Sequence, residues 1–288
     1  MDKHSVDRLI EERYQSLSPV LQRAARYVMD NPKYMALNSM RSVASSAGLQ
    51  SSTMHRLARE LGFDGYESFR SVYRTWLTEG SSSFSERATA LQKRSGSDEA
   101  EKLIRELLHA DNTHLTELTA TDTLKSIKHA TDILGKARRI YVAGQRSLFP
   151  AAFYFNYACS MFMHNTRLLT GIAGTFSDDL REGDSGDALL VFSYNPYARD
   201  SVSAVEFARQ QGMRIVSITD STLSPIAKQS HALVIVPNST PSLFPSVVPA
   251  MSIAQILVAM LVARGGKKSL QEIKKSEAQL QRFAVYVD

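Results

Sequence analysis

Apolar residues in the first 79 positions recur with helical spacing. Leu17, Val20, Leu21, Ala24, Ala25 and Val28 fall on one face, Ser18-Pro19 reads as the cap and first turn, and Asn31-Pro32 stops the helix. Ser39 is a suitable N-cap for a second helix with the stripe Met40, Val43, Ala44 and Ala47, and Gly48 supplies the left-handed residue that ends it. Ser51 or Ser52 then caps a third helix. Its inward face is Met54, Leu57, Ala58 and Leu61, which leaves Thr53, His55, Arg56 and Arg59 facing out.

The pattern breaks over residues 78–102, a stretch rich in serine and charge that reads as a partly helical linker, and helical spacing returns at about 100–119 and 122–136. From Arg138 onward the texture changes to short apolar runs. "RIYVAG", "LLVFSY", "RIVSIT" and "ALVIVP" read as buried parallel strands and "NTRLLT" as a weaker one, while "RDSVSAVEFARQQGM" between them has helical periodicity. The expectation is a parallel-sheet, three-layer α/β sandwich. Ligands in such sheets sit beyond the carboxyl ends of the strands, here in the loops "AGQRSLFP", "FSYNPYARD", "ITDSTLSP" and "VPNSTPSLFPS". The apolar run at 243–263 carries Pro245, Pro249, two serines and Gln255, and reads as a loop followed by a buried helix rather than a membrane span.

At 288 residues and 43% hydrophobic, the chain accommodates more than one core. We divide it into an all-α domain at 1–79, a linker and connecting helix at 80–120, and an α/β ligand-binding domain at 121–288. The single cysteine, Cys159, rules out an internal disulfide and a thiolate metal cluster. With no apolar signal core at the N-terminus, the expected location is the cytoplasm. The net charge of +5 permits nucleic-acid binding without establishing it.

Two short helices around a glycine turn form a helix-turn-helix, whose second helix can enter the major groove of double-stranded DNA. Small residues Ala44 and Ala47 allow a close crossing. The polar start of the third helix then offers Gln50, Ser51, Ser52, Thr53, His55 and Arg56 to bases or phosphates, with Arg59 placed for phosphate. The run "MRSVASSAGLQSSTMHRLARELGFDGYESFRSVYRTWL" resembles the N-terminal domain of the RpiR family of bacterial transcriptional regulators, including the "LGFDGYESFR" that follows the recognition helix. That resemblance spans roughly residues 5–78.

The loop order of the second half, and "SITDSTLSPIAKQSHALVIVP" in particular, resembles the sugar isomerase (SIS) domain that completes the RpiR architecture. Phosphate-gripping SIS domains carry a Gly-x-Gly-x-Ser loop after the first strand and a Ser-x-Ser-Gly-x-Thr loop after a later one. Here "AGQRS" keeps Ser147 but sets Gln145 and Arg146 in the glycine-rich part, and "SYNPYA" keeps Ser193 while Asn195, Pro196 and Ala198 replace the other signature positions. The loops therefore describe a variant pocket. Arg146 and Arg199 can each grip a phosphate or carboxylate with two parallel hydrogen bonds, and Ser147, Ser193, Asn195, Ser242 and Ser246 can bond oxygens. Tyr197 joins this ligand set, although tyrosines such as Tyr194 and Tyr197 are more often packing or interface residues than ligand contacts.

The resemblance implies a homodimeric or homotetrameric DNA-binding regulator, a repressor by family precedent, whose SIS domain senses a small anionic effector such as a sugar phosphate or sugar acid. The alternative is a catalytic SIS-type sugar-phosphate isomerase. Proton transfer on a sugar needs a positioned acid and base, and the strand-end loops offer only Asp200 and Asp220. The histidines lack paired metal-ligand spacing, and "GQRS" lacks the lysine of a Walker loop, so no catalytic residue, metal or cofactor is expected.

Overall fold

A computed structural model describes residues 3–80, 84–94, 96–222 and 224–287, and the chain divides into two compact units, Met1–Lys93 and Arg94–Asp288. The first is all helical: α1 (Lys3–Arg13), α2 (Pro19–Asp30), α3 (Pro32–Leu37), α4 (Met40–Ser46), α5 (Ser51–Glu60), α6 (Tyr66–Gly80) and α7 (Phe84–Gln92). The Asn31-Pro32 stop ends α2 and at once starts α3, because proline suits the first helical turn, where its missing N–H is no loss. Val6 and Ile10 of α1, Leu21, Ala24, Ala25 and Val28 of α2, and Phe69 and Tyr73 of α6 close one core around α4 and α5.

The expected turn is present. Ser39 caps α4 by accepting from the Ser42 amide at 3.3 Å, and Gly48 takes φ +65°, a conformation that costs any residue with a Cβ. The cap expected of Ser51 or Ser52 is not. Gln50 occupies the N-cap, its carbonyl accepts the Thr53 amide at 2.9 Å, and its side chain makes no capping bond, so both serines lie inside the first turn.

The second unit contains α8 (Ser97–Glu117), α9 (Thr121–Lys136), β1 (Ile140–Gly144), α10 (Phe149–Ser160), β2 (Thr166–Leu168), α11 (Phe176–Leu180), β3 (Ala188–Ser193), α12 (Arg199–Gln210), β4 (Arg214–Thr219), β5 (Ala232–Ile235) and α13 (Val248–Arg282). All five strands pair in parallel, in the order β2-β1-β3-β4-β5. Period-two alternation sorts the two faces. Ile140, Val142, Leu190 and Phe192 pack under α9, α10 and α13, whereas Tyr141, Ala143, Leu189 and Val191 pack under α11 and α12. The architecture is the three-layer α/β sandwich.

By length and composition α13 could cross a bilayer, yet Pro249, Ala250, Ile253, Ala254, Leu257 and Leu261 are buried in the protein's own core. A side chain at Gly144 would come within 2.6 Å of the Leu148 carbonyl and 2.7 Å of Ala152 Cβ. Only glycine lets α10 sit this close to β1, and that contact fixes the loop between them.

Candidate DNA interface and effector site

On α5, the side chains of Gln50, Ser52, His55, Arg56 and Arg59 are exposed and Ser51 is half-buried, so the polar start of the helix is presented to solvent. Thr53 departs from the expectation. It lies one turn before Leu57 and is only 8% exposed, so the buried stripe of α5 is wider than the apolar residues alone indicate. Arg13 Nη1 donates to the Glu60 carbonyl at 2.6 Å, placing a cation at the negative end of α5 and tying α1 to it. The His55 ring lies against Gly65, with Nε2 3.5 Å from the position a Cβ would take there.

On α2 to α5 six Lys and Arg residues stand against two acidic ones, Asp30 and Glu60. Lys3 pairs with Asp7 on α1, and Arg70 with Glu67 on α6. Among the described residues, Arg23, Arg26, Lys33, Arg41, Arg56 and Arg59, on α2 to α5, have no acidic side chain within 4.0 Å. Arg23 reaches the α4–α5 turn, its Nη2 3.8 Å from where a Cβ on Gly48 would stand. Unpaired cations around an exposed polar helix start are the electrostatic footprint of a phosphate-binding face.

In the second unit, the strand order reverses direction between β1 and β3, which makes the crevice beyond their carboxyl ends the topological switch point. The loops after β1 and β3 flank it. Arg146 and Ser147 come from the first, and Ser193, Asn195, Tyr197 and Arg199 from the second. Arg146 has φ +55°, a left-handed backbone rare for a residue with a side chain. The loop thus keeps a glycine-like geometry while carrying an exposed guanidinium. Strain of this kind costs about 1–3 kcal/mol and concentrates at functional sites.

Arg199 is exposed and opens α12, where its charge adjoins the unpaired amides of the first turn and the exposed Asp200 of that turn. Such a placement is unfavourable for a cation until an anion joins it. Neither Arg146 nor Arg199 pairs with an acid among the described residues.

Asp220, at the end of β4, organises the β3 loop. Its carboxylate accepts from the Asn195 amide at 3.1 Å, the Tyr197 hydroxyl at 3.0 Å and Thr219 Oγ1 at 3.3 Å, and Thr219 Oγ1 also lies 2.7 Å from the Ser193 carbonyl. Burial first, and then the Asp220 charge, raises the Tyr197 pKa, so this hydroxyl stays protonated and donating; the same two causes raise that of Tyr194. Sequence reasoning weighs Asp220 only as a catalytic acid. Its position on the last turn off a buried strand is the available signal for a structural role.

Ser193 is buried, 4% exposed, and contributes through its backbone. Ser246 is also buried and its hydroxyl is engaged, donating to Asp111 of α8 at 2.5 Å and accepting from the Val248 amide at 3.2 Å. That ties it to the entry of α13, whereas Ser242, half-buried, lies in the same loop four residues earlier. Two further donors border the strand ends, Gln145 Nε2 after β1 and Asn238 Nδ2 after β5, both buried without a partner among the described residues. Gln145 occupies the part of the loop that is glycine in the phosphate-gripping pattern, and brings a buried amide donor to that position.

Comparison with known proteins agrees with this geometry. A helix-turn-helix domain model of the rpiR family matches residues 5–78, and a SIS domain model matches residues 133–263. The HTH-type transcriptional regulator HexR of Pseudomonas aeruginosa is 24% identical over 239 residues, covering 79% of this chain and 77% of that protein. The sugar isomerase domain of an RpiR transcription factor from Sphaerobacter thermophilus superposes with a TM-score of 0.56 at 20% identity, over 62% of this chain and 98% of that one. Vibrio vulnificus NanR, solved in complex with ManNAc-6P, superposes with a TM-score of 0.55 at 16% identity, over 98% of this chain and 99% of its own. At these identities the two structural likenesses establish the fold.

Proposed function

This chain belongs to the RpiR family of helix-turn-helix proteins with a SIS domain, and from that premise we propose that it is a cytoplasmic, sequence-specific repressor whose DNA affinity is set by a small anionic carbohydrate derivative. The observation that carries the DNA-binding part is the unpaired cationic surface of α2 to α5 around the exposed start of α5. In this reading Gln50, Ser52, His55 and Arg56 read bases and Ser51 and Arg59 hold phosphates, and the exposure of all but the half-buried Ser51 supports it. Thr53 supports the helix from within.

The effector site is the β1–β3 crevice, where Arg146 and Arg199 grip the anionic group and Ser147, Asn195, Tyr197 and Ser242 meet the remaining oxygens. The ManNAc-6P in the complex with Vibrio vulnificus NanR makes phosphorylated sugars the first class to test, and sugar acids the second. The protein acts as a homodimer or homotetramer on a two-fold-symmetric operator, and effector shifts DNA affinity by binding one quaternary state better than the other. Asp220 is committed to holding a loop, which supports a sensing rather than a proton-transferring pocket.

The test is a fluorescence-anisotropy titration of a selected duplex with and without each sugar phosphate or sugar acid. A compound that shifts the midpoint for the wild type but not for an Arg146→Ala, Arg199→Ala double variant supports the reading. Equal shifts in both proteins would remove these arginines from the site.

A further inference from the structure

Helix α8 lies outside both matched domains, between residues 78 and 133, yet polar bonds hold it at two points. The first is on the side of the proposed effector site. Asp111 accepts from the Ser246 hydroxyl, whose oxygen in turn accepts the Val248 amide at the entry of α13. The Ser246 amide donates to the Asn238 carbonyl at 2.9 Å and so closes the loop that carries Ser242. Inside α8 the buried residue is His114, one turn beyond Asp111, whereas Ile104, Leu108 and Leu115 are exposed. An inward polar contact is directional, so it fixes the register of α8 on this loop.

The second point is on the linker side. Arg94, the first residue of the second unit, donates from Nη1 to Glu106 at 2.7 Å and from Nε to Glu99 at 3.3 Å, and its side chain is 19% exposed. The chain arriving from α7 is thereby laid back along the first turns of α8. Glu106 and Asp111 are only ~7.5 Å apart along the helix axis, a span over which a helix moves as a stiff body.

We propose that α8 is the element through which the effector site controls the linker, with Asp111 as the residue that positions the loop after β5 on it. The inference rests on the regulator reading above and specifies the regulation of that same site. An effector held by Ser242 orders the loop that Ser246 closes, and Ser246 fixes Asp111. The helix then carries Glu99, Glu106 and the clamped Arg94 with it, which sets where the linker leaves the second unit. The made and broken Asp111–Ser246 bond supplies the two discrete arrangements that such coupling requires.

Hydrogen exchange of the full-length protein, without DNA or effector, tests the connection. Ser246→Ala removes the bond from the loop side, Asp111→Ala removes it from the helix side, and Asp111→Asn keeps an oxygen acceptor. Both alanine variants are expected to quicken exchange several-fold along α8, including residues 101–106 beyond the contact, and Asp111→Asn should restore the wild-type rates there. Selection from a random duplex pool adds a readout that loop packing alone does not move. Ser246→Ala and Arg94→Ala should each enrich the wild-type half-sites over a wider range of spacings, whereas Arg105→Ala, which breaks an exposed pair with Glu101 on the same helix, should not.

Faster exchange confined to residues 238–247, or half-site spacing unchanged in Ser246→Ala and Arg94→Ala, would overturn the proposal and leave the regulator reading intact. A wild type that enriches no DNA sequence would overturn that reading and the proposal with it, whatever the exchange shows.

Discussion

Tyr197 donates its hydroxyl to Asp220 across 3.0 Å, joining the loop after β3 to the end of β4 at the edge of the proposed effector crevice. The same carboxylate accepts the Asn195 amide, so one side chain holds two points of the loop that leads to Arg199. Asp220→Ala should therefore loosen residues 194–198 and leave the sheet intact. Hydrogen exchange at the Asn195 amide is expected to quicken several-fold, in line with a net ~0.5–1.5 kcal/mol per hydrogen bond, while exchange within β3 and β4 is unchanged. Unaltered exchange at Asn195 would show that Asp220 does not position the loop.

Arg146 separates strain from charge. Arg146→Gly removes the cost of φ +55° while enlarging the unfolded ensemble, a net stabilisation of about 1 kcal/mol, or roughly 2–4 °C in the melting midpoint of the second unit. Arg146→Ala keeps the strained backbone and should melt with the wild type. Both lose the guanidinium, so both should bind a responding sugar phosphate roughly ten- to a hundredfold more weakly. Calorimetry of the three proteins with and without that compound distinguishes the two effects.

At the opposite end of β1 and β3, before the strands begin, Arg138 grips Asp187 with two hydrogen bonds, Nε at 3.0 Å and Nη2 at 2.9 Å, and the Asp184 amide adds a third at 3.1 Å. Burial alone would raise the Asp187 pKa, but these bonds outweigh it and hold the carboxyl below its ordinary value. The stabilisation is therefore present above the ordinary carboxylate range and is lost as pH falls through the lowered value. Asp187→Ala should cost about 1–3 kcal/mol at neutral pH in urea unfolding, and its gap from the wild type should narrow on acidification. A gap independent of pH would assign the loss to packing.

Within α5, Arg56 and Thr53 give opposite expectations. Arg56→Ala should weaken binding to a selected duplex by about 1–3 kcal/mol and relax preference at the base it reads. Thr53→Val, at a buried position, should leave affinity within twofold. Anisotropy titrations at fixed salt compare them; a larger loss for Thr53→Val would mean that its hydroxyl reaches DNA.

Much of this is legible in the sequence because helix and strand periods differ so plainly. Met54, Leu57 and Leu61 announce a helix face, and runs such as "ALLVFS" and "RIVSIT" announce strands buried on both faces. Gly48 is readable because a helix-to-helix turn of this length needs a left-handed residue. Thr53 misleads because its polarity outweighs its place one turn before Leu57, where the side chain is buried with the apolar stripe. The cap misleads for a related reason. Serine is the better capping residue, yet the length of the turn after Gly48 decides where the helix begins, and it begins one residue past Gln50. At the carboxyl ends of the strands the loops are legible but the bonds within them are not. Nothing in the spacing of Ser246 and Asp111, 135 residues apart, signals that they meet.

The most direct measurement is selection from a random duplex pool by the purified full-length protein at near-physiological salt, with sequencing of the retained DNA. The account predicts enrichment of an inverted repeat, its half-sites about one helical turn apart or a multiple of that, and loss of the enrichment in Arg56→Ala. Retention that follows only total charge and disappears with added salt, with no enriched sequence in the presence or absence of sugar phosphates, would contradict it.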